Sequence, residues 1–155
     1  MVKIIRTHSK NTDFIALVKD LDAYLAITDG EEHSFYNQFN ALDHIKHIVL
    51  IYEGKKAIAC GAMKAYSATT MEIKRMYTSP AYRGKGIATK ILNELENWAA
   101  ELSYQKCILE TGVRQLEAIA LYQKNKYNSI SNYGPYSTVE SSLCFEKNIF
   151  KDIEP

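Results

Sequence analysis

The sequence predicts an α/β (α+β) fold, one domain over 1–155. It expects a mixed, mostly antiparallel seven-stranded sheet flanked by about four helices, with strands four and five parallel. Three observations predict it. The stretch from His47 to Thr78 holds three apolar β-type runs joined by short turns, which reads as an antiparallel meander. A long apolar stripe follows from Ile87 to Leu102 at helical spacing. Another short apolar run, Cys107 to Glu110, comes directly after it, and a strand, a helix and a strand in that order make the two strands parallel. At 155 residues and 46% hydrophobic content, the chain suits one domain and can fill one core.

Taken in order, Val2–Arg6 is a first strand. Asn11, Thr12 and Asp13 offer helix-capping side chains. Phe14, Leu17, Val18, Leu21 and Leu25 then recur at three and four residues, marking one buried helix face, up to a turn at Thr28-Asp29-Gly30. The segment Glu31–Ile45 reads as a second short helix or a loop. It is rich in aromatics and amides, which suit contact with a small ligand, although Phe35, Phe39 and Leu42 equally suit the core. Strand two is His47–Tyr52, Glu53-Gly54-Lys55 a tight turn, strand three Lys56–Tyr66 and strand four Met71–Thr78. Strand four departs from simple alternation: Met71 and Ile73 are two apart, but Met76 follows after three. One extra residue, a β-bulge, explains the slip. The long helix carries Ile87, Ala88, Ile91, Leu92, Leu95, Trp98, Ala99 and Leu102 on one side. Strand five is Cys107–Glu110, a fourth helix Gln115–Asn125, and Tyr127–Ser131 and Ser142–Ile149 are the last strands, separated by a loop at Asn132–Tyr136.

Composition excludes several classes. The formal charge of +1 supplies no field for nucleic acid or a membrane surface, so neither is expected as a partner. Cys60, Cys107 and Cys144 are far apart in sequence and sit in apolar runs, which suits reduced core thiols and a cytoplasmic setting. No apolar run approaches the ~20 residues of a membrane span, and the start of the chain does not resemble a signal peptide. The histidines (His8, His33, His44, His47) lack metal-ligand spacing, so no metal is expected.

Chemistry concentrates between Met76 and Ala88. A strand end passes through a short loop into a helix, and Arg83, Gly84, Lys85 and Gly86 form the turn. A glycine-rich turn at a helix start presents backbone N–H groups to an anion, and two basic side chains sit in the same turn. The physical reading is a site for a phosphorylated ligand, most simply a pyrophosphate.

Arg83-Gly-Lys-Gly-Ile-Ala88 resembles the Gln/Arg-x-x-Gly-x-Gly/Ala signature of the GNAT superfamily of acyl-CoA-dependent N-acyltransferases. Gln115-Leu-Glu-Ala-Ile-Ala-Leu-Tyr122 resembles its second signature, Asn-x-x-Ala-x-x-Leu-Tyr, with Gln115 in place of Asn. The element order is similar over nearly the whole chain. The chain departs a second time where Lys126-Tyr127 stands in place of the family's usual Gly-Phe or Gly-Tyr.

The resemblance implies an enzyme, an N-acetyltransferase moving an acetyl group from acetyl-CoA to an amine of a small molecule or peptide, by direct transfer in a ternary complex. The rival reading is a GNAT-like module that binds acyl-CoA without turnover. Arg83, Gly84, Lys85, Gly86, Ile87 and Ala88 would bind the CoA pyrophosphate. Met76, Tyr77 and Thr78 would pair with the pantetheine arm, and a Met76 or Tyr77 N–H would polarise the thioester carbonyl. Gln115 would contact the pantetheine. An ammonium of pKa about 10.4 must lose a proton before it attacks. The resemblance implies Glu72 as the first candidate base, since it lies eleven residues before Arg83, where a subset of the family places its base. Glu110, near the end of strand five, is the second. The bland alternative for Glu72 is a solvent-facing residue paired with Lys64 or Lys74. Tyr122 would hydrogen-bond or protonate the departing thiolate. Tyr36, Asn40 and Tyr136 are the expected acceptor-pocket residues, and a homodimer is a further implication.

Overall fold

The computed structural model describes residues 2–29 and 45–150. Its strands are β1 (Val2–Thr7), β2 (His47–Glu53), β3 (Lys56–Ala65), β4 (Thr70–Thr78), β5 (Lys106–Gly112), β6 (Asn128–Ile130) and β7 (Ser142–Asn148). The helices are α1 (Thr12–Asp29), α2 (Ile87–Glu101) and α3 (Leu116–Lys124), with 3-10 turns at Pro80–Tyr82 and Gly134–Tyr136. About four helices were expected, and three α-helices occur among the described residues. The short helix or loop expected at Glu31–Ile45 lies outside the described residues except for Ile45, which is buried.

The strands form one sheet in the order β1-β2-β3-β4-β5-β7-β6. Among the described strands only the β4–β5 pair is parallel, as the intervening helix requires. β7 inserts between β5 and β6, pairing with β5 from Lys106–Asn148 to Gly112–Ser142. α1 covers one face, where Phe14, Leu17 and Val18 pack on Ile48, Leu50 and Cys60. Asn11 caps this helix, its Oδ1 accepting from the N–H groups of Asp13 (2.9 Å) and Phe14 (3.0 Å). α2 covers the other face, burying Ile91, Leu92 and Leu95 against Val49, Ile51, Met63 and Met71, and α3 joins the same cluster through Tyr122.

The bulge lies in β4. Cys60 pairs with Tyr77 and Ala62 with Lys74, so Gly61 faces two residues, Arg75 and Met76. Arg75 has φ 59°, and Cys60 Sγ donates to its carbonyl at 3.3 Å. The extra residue lets Met71, Ile73 and Met76 all pack in the α2 cluster despite their 2-then-3 spacing. Gly61 has its own reason: a Cβ there would run into the Ile91 side chain and lie 2.7 Å from Met76 Sδ.

α3 ends without a glycine. Lys126 takes the left-handed conformation itself, with φ 70°. Its N–H reaches Gln123 O (3.1 Å) and that of Tyr127 reaches Tyr122 O (3.0 Å), which satisfies the last carbonyls as a Schellman end does.

Candidate active site

β4 and β5 are joined only at Thr70–Lys106, Met71–Cys107 and Glu72–Ile108. Beyond Glu72 the bulge carries β4 along β3, while β5 stays with β7, and the two strands part. The wedge between them holds a cavity of about 450 Å³. Its walls are Ile73–Thr78 of β4, Glu110–Gly112 of β5, the first turn of α2, Gln115 and Tyr122 from the α3 side, and Tyr24 of α1. Among the described residues no strand pairs with the β5-facing edge of β4 past Glu72. An extended ligand laid there can take up those backbone groups as an added strand would.

At one end of the wedge lies the glycine turn. Gly84 and Gly86 have φ 76° and 78°, so both positions demand the left-handed conformation, and Gly86 is the N-cap of α2. Among the described residues no side chain caps that helix start, and no acidic residue sits in its first turn. Its N–H groups therefore stand ready for an anion from outside the protein. Arg83 and Lys85 are placed less simply than a pair of free cations. Arg83 Nε donates to Thr78 O at 2.8 Å, and its guanidinium lies over the rings of Tyr24 (5.1 Å) and Tyr77 (5.5 Å). It braces the end of β4 against α1 as well as lending charge. Lys85 Nζ lies 5.7 Å from the Tyr82 ring centroid, and Lys56 Nζ approaches the same ring at 5.6 Å. Tyr24 and Lys56 carry no local sequence signal for this site.

At the other end lie the titratable groups. Glu72 is buried rather than solvent-facing. Its Oε2 accepts from the Tyr133 hydroxyl at 2.7 Å, and its Oε1 is 3.7 Å from Lys74 Nζ, so the ion pair is with Lys74 and not with Lys64. Burial, reinforced by the Glu72 carboxylate, pushes the Tyr133 phenol far above its ordinary pKa. Burial pulls the Lys74 ammonium down, with Glu72 opposing that shift. Glu110 accepts from the Ser142 hydroxyl at 2.7 Å. Tyr122 is buried beside Tyr127 and Phe145, with ring centroids 5.9 and 6.3 Å away. Its phenol is shifted upward, first by burial and then by Glu110. Gln115 is buried at the start of α3, where its carbonyl accepts from Ile119 N–H at 3.0 Å. Tyr136 is buried against Tyr133 and lines the cavity.

The wedge thus gathers all but three of the residues singled out from the sequence, Lys85 standing in the glycine turn beside it without lining the cavity. Tyr36 and Asn40 lie outside the described residues. Lys74 was named as a partner of Glu72 only for the solvent-facing alternative, and Tyr133 was missed. For Lys74 a signal existed, because residues two apart on a strand share a face. For Tyr133, 61 residues away, there was none.

Residues 14–127 match the acetyltransferase (GNAT) family. An IAA acetyltransferase of Azospirillum brasilense is 32% identical over 149 residues, covering 94% of this chain and 97% of that protein. A Klebsiella pneumoniae structure described as an acyl-CoA N-acyltransferase superposes with a TM-score of 0.82 at 30% identity, over 97% of this chain and 99% of that one. The N-acetyltransferase PaiA of Thermoplasma acidophilum, solved with coenzyme A, shares the fold at a TM-score of 0.71 and 18% identity, over 96% and 99% of the two chains. A parted β4–β5 pair, an uncapped glycine turn at a helix start and this likeness along almost the full length agree, and the chain belongs to the GNAT acetyltransferase family of acyl-transferring enzymes.

Proposed function

We propose that this chain is an N-acetyltransferase that moves the acetyl group of acetyl-CoA to a primary amine of a small molecule or peptide, by direct transfer while both are bound. The observation that carries the reading is the wedge, with an anion-ready helix start at one end and buried Glu72 and Tyr122 at the other. The donor's phosphates meet the N–H groups of the turn from Gly84 to Ala88, with charge from Lys85 and Arg83. Its extended arm runs along the open edge of β4 at Met76, Tyr77 and Thr78, with Gln115 on the opposite wall. A backbone N–H at Met76 or Tyr77 donates to the thioester carbonyl as negative charge gathers on it.

Glu72 takes the proton from the acceptor ammonium, directly or through water, with Glu110 as the second candidate. Tyr122 donates a hydrogen bond to the departing thiolate. Even a free phenol, with pKa about 10 against a thiol at about 8.5, loses roughly 2 kcal/mol by giving up its proton. Burial raises the Tyr122 phenol further. The hydrogen bond therefore carries the role, and full proton transfer is disfavoured. Tyr136, together with Tyr36 and Asn40, is the proposed set of acceptor contacts.

The test is thiol release from acetyl-CoA with a panel of amines, amino acids, polyamines and peptides. Acceptor-dependent release is the expected result. Tight acetyl-CoA binding with no release across the panel would leave only a donor-binding protein.

A further inference from the structure

We infer that Lys74 is itself an acyl acceptor: with no amine bound, the chain transfers the acetyl group of its donor to Lys74 Nζ. The inference rests on the acetyl-transfer reading above. Lys74 and Glu72 lie two apart on β4 and share a face. Their side chains are only 10% and 12% exposed, with Nζ 3.7 Å from Glu72 Oε1. Both line the cavity that also holds Met76, Tyr77 and the first turn of α2. Only Arg75, the bulged residue, separates Lys74 from Met76 along β4, and lysine carries its amine on a flexible four-carbon stem. Lys74 and the wall around Met76, where the thioester carbonyl is proposed to sit, therefore belong to one cavity. A buried amine, a carboxylate beside it and a shared cavity are the parts that amine acylation needs.

The shifts at this site act in the same sense. Burial lowers the Lys74 pKa, and neighbouring Arg75 and Lys64 add to that effect, against Glu72 and Glu110. More of the amine is neutral than on an exposed lysine. In the reaction the Nζ lone pair attacks the thioester carbonyl carbon. An N–C bond forms, the C–S bond breaks and CoA leaves as thiolate. The proton lost by nitrogen passes to Glu72 and on to the thiolate. The products are Nε-acetyl-Lys74 and CoA thiol, with no change of oxidation state. Acetyl-Lys74 carries no charge, cannot pair with Glu72 and fills part of the acceptor end. The donor then silences an enzyme that lacks its acceptor.

The full chain, incubated with acetyl-CoA and no amine, is digested and mapped by mass spectrometry. Lys74 is expected to carry the acetyl mass at about ten times the occupancy of exposed Lys10 and Lys64 or more, the advantage of a held reactant. In urea-unfolded chain the three lysines should react alike. Mere burial would make Lys74 the least modified of the three in the native chain, and that result, or equal modification, overturns the inference. Lys74→Arg should lose the site-specific label. Calorimetric titration with CoA separates the failures. CoA binding with unmodified Lys74 sinks this inference alone, whereas absence of CoA binding sinks the donor reading with it.

Discussion

Glu72 and Tyr122 do different work, and their substitutions should separate. Tyr122→Phe removes a hydrogen bond made to charge that develops only during transfer. It should lower kcat about tenfold or more while leaving the calorimetric Kd for acetyl-CoA nearly unchanged. Glu72→Gln keeps the acceptor atom for Tyr133 but removes the base. It should lower kcat/KM by about 10²-fold or more and change the shape of the pH–rate profile. An unchanged profile would move the base to Glu110. Lys126 is one of the residues where this sequence departs from its family, and it is strained and exposed at φ 70°. Lys126→Gly should raise stability by about 1 kcal/mol, read as a higher urea midpoint with unchanged m. The resemblance to the family, not the spacing by itself, marked Glu72, eleven residues before Arg83. Its Tyr133 partner was illegible because a contact across 61 residues leaves no periodic trace.

At the scale of elements, the bulge in β4 decides where the site lies. It is held by close packing, since Gly61 lets α2 come down onto the sheet opposite Arg75 and Met76. Gly61→Ala should cost roughly 1–3 kcal/mol as Ile91 and Met76 are forced aside, measured by urea unfolding. The bulge was legible because a run of alternating apolar residues shows at once where one residue too many has entered. The strand order at the far side was not. β6 and β7 read equally well as neighbours of β5, and nothing local in either says that β7 takes the inner place, where it pairs along the whole of β5. The segment between Gly30 and His44 gave no clear period, and two of the expected acceptor residues fall within it.

Across the whole molecule, the buried thiols and phenols set an alkaline limit. Burial pushes Cys60 and Cys107 up to about 12 and Cys144 up to about 11, and it raises Tyr122, Tyr127 and Tyr133 as well. Each of these folded-state pKa values lies above its unfolded value. The stability they support is complete below the ordinary thiol and phenol pKa values. It declines as the pH passes about 8.5 and then 10, because the unfolded chain ionises first. Lys74, shifted downward, acts in the opposite sense, while the phenols of Tyr52 and Tyr77, also raised, act with the thiols. The melting temperature should hold to about pH 8 and fall steadily above pH 9. The native thiols should resist alkylation at pH 8 until the chain is unfolded.

The parting of β4 from β5 has a mechanical consequence. The sheet is in effect two panels, β1 to β4 and β5 to β6, stitched along three residue pairs at Thr70–Glu72. A ligand in the seam completes the cloth, so its binding energy is also cohesion between the panels. At about a hundredfold over its Kd, CoA should add about 2.7 kcal/mol to the unfolding free energy. Amide hydrogens on the open side of β4 should exchange slowly only once the seam is closed.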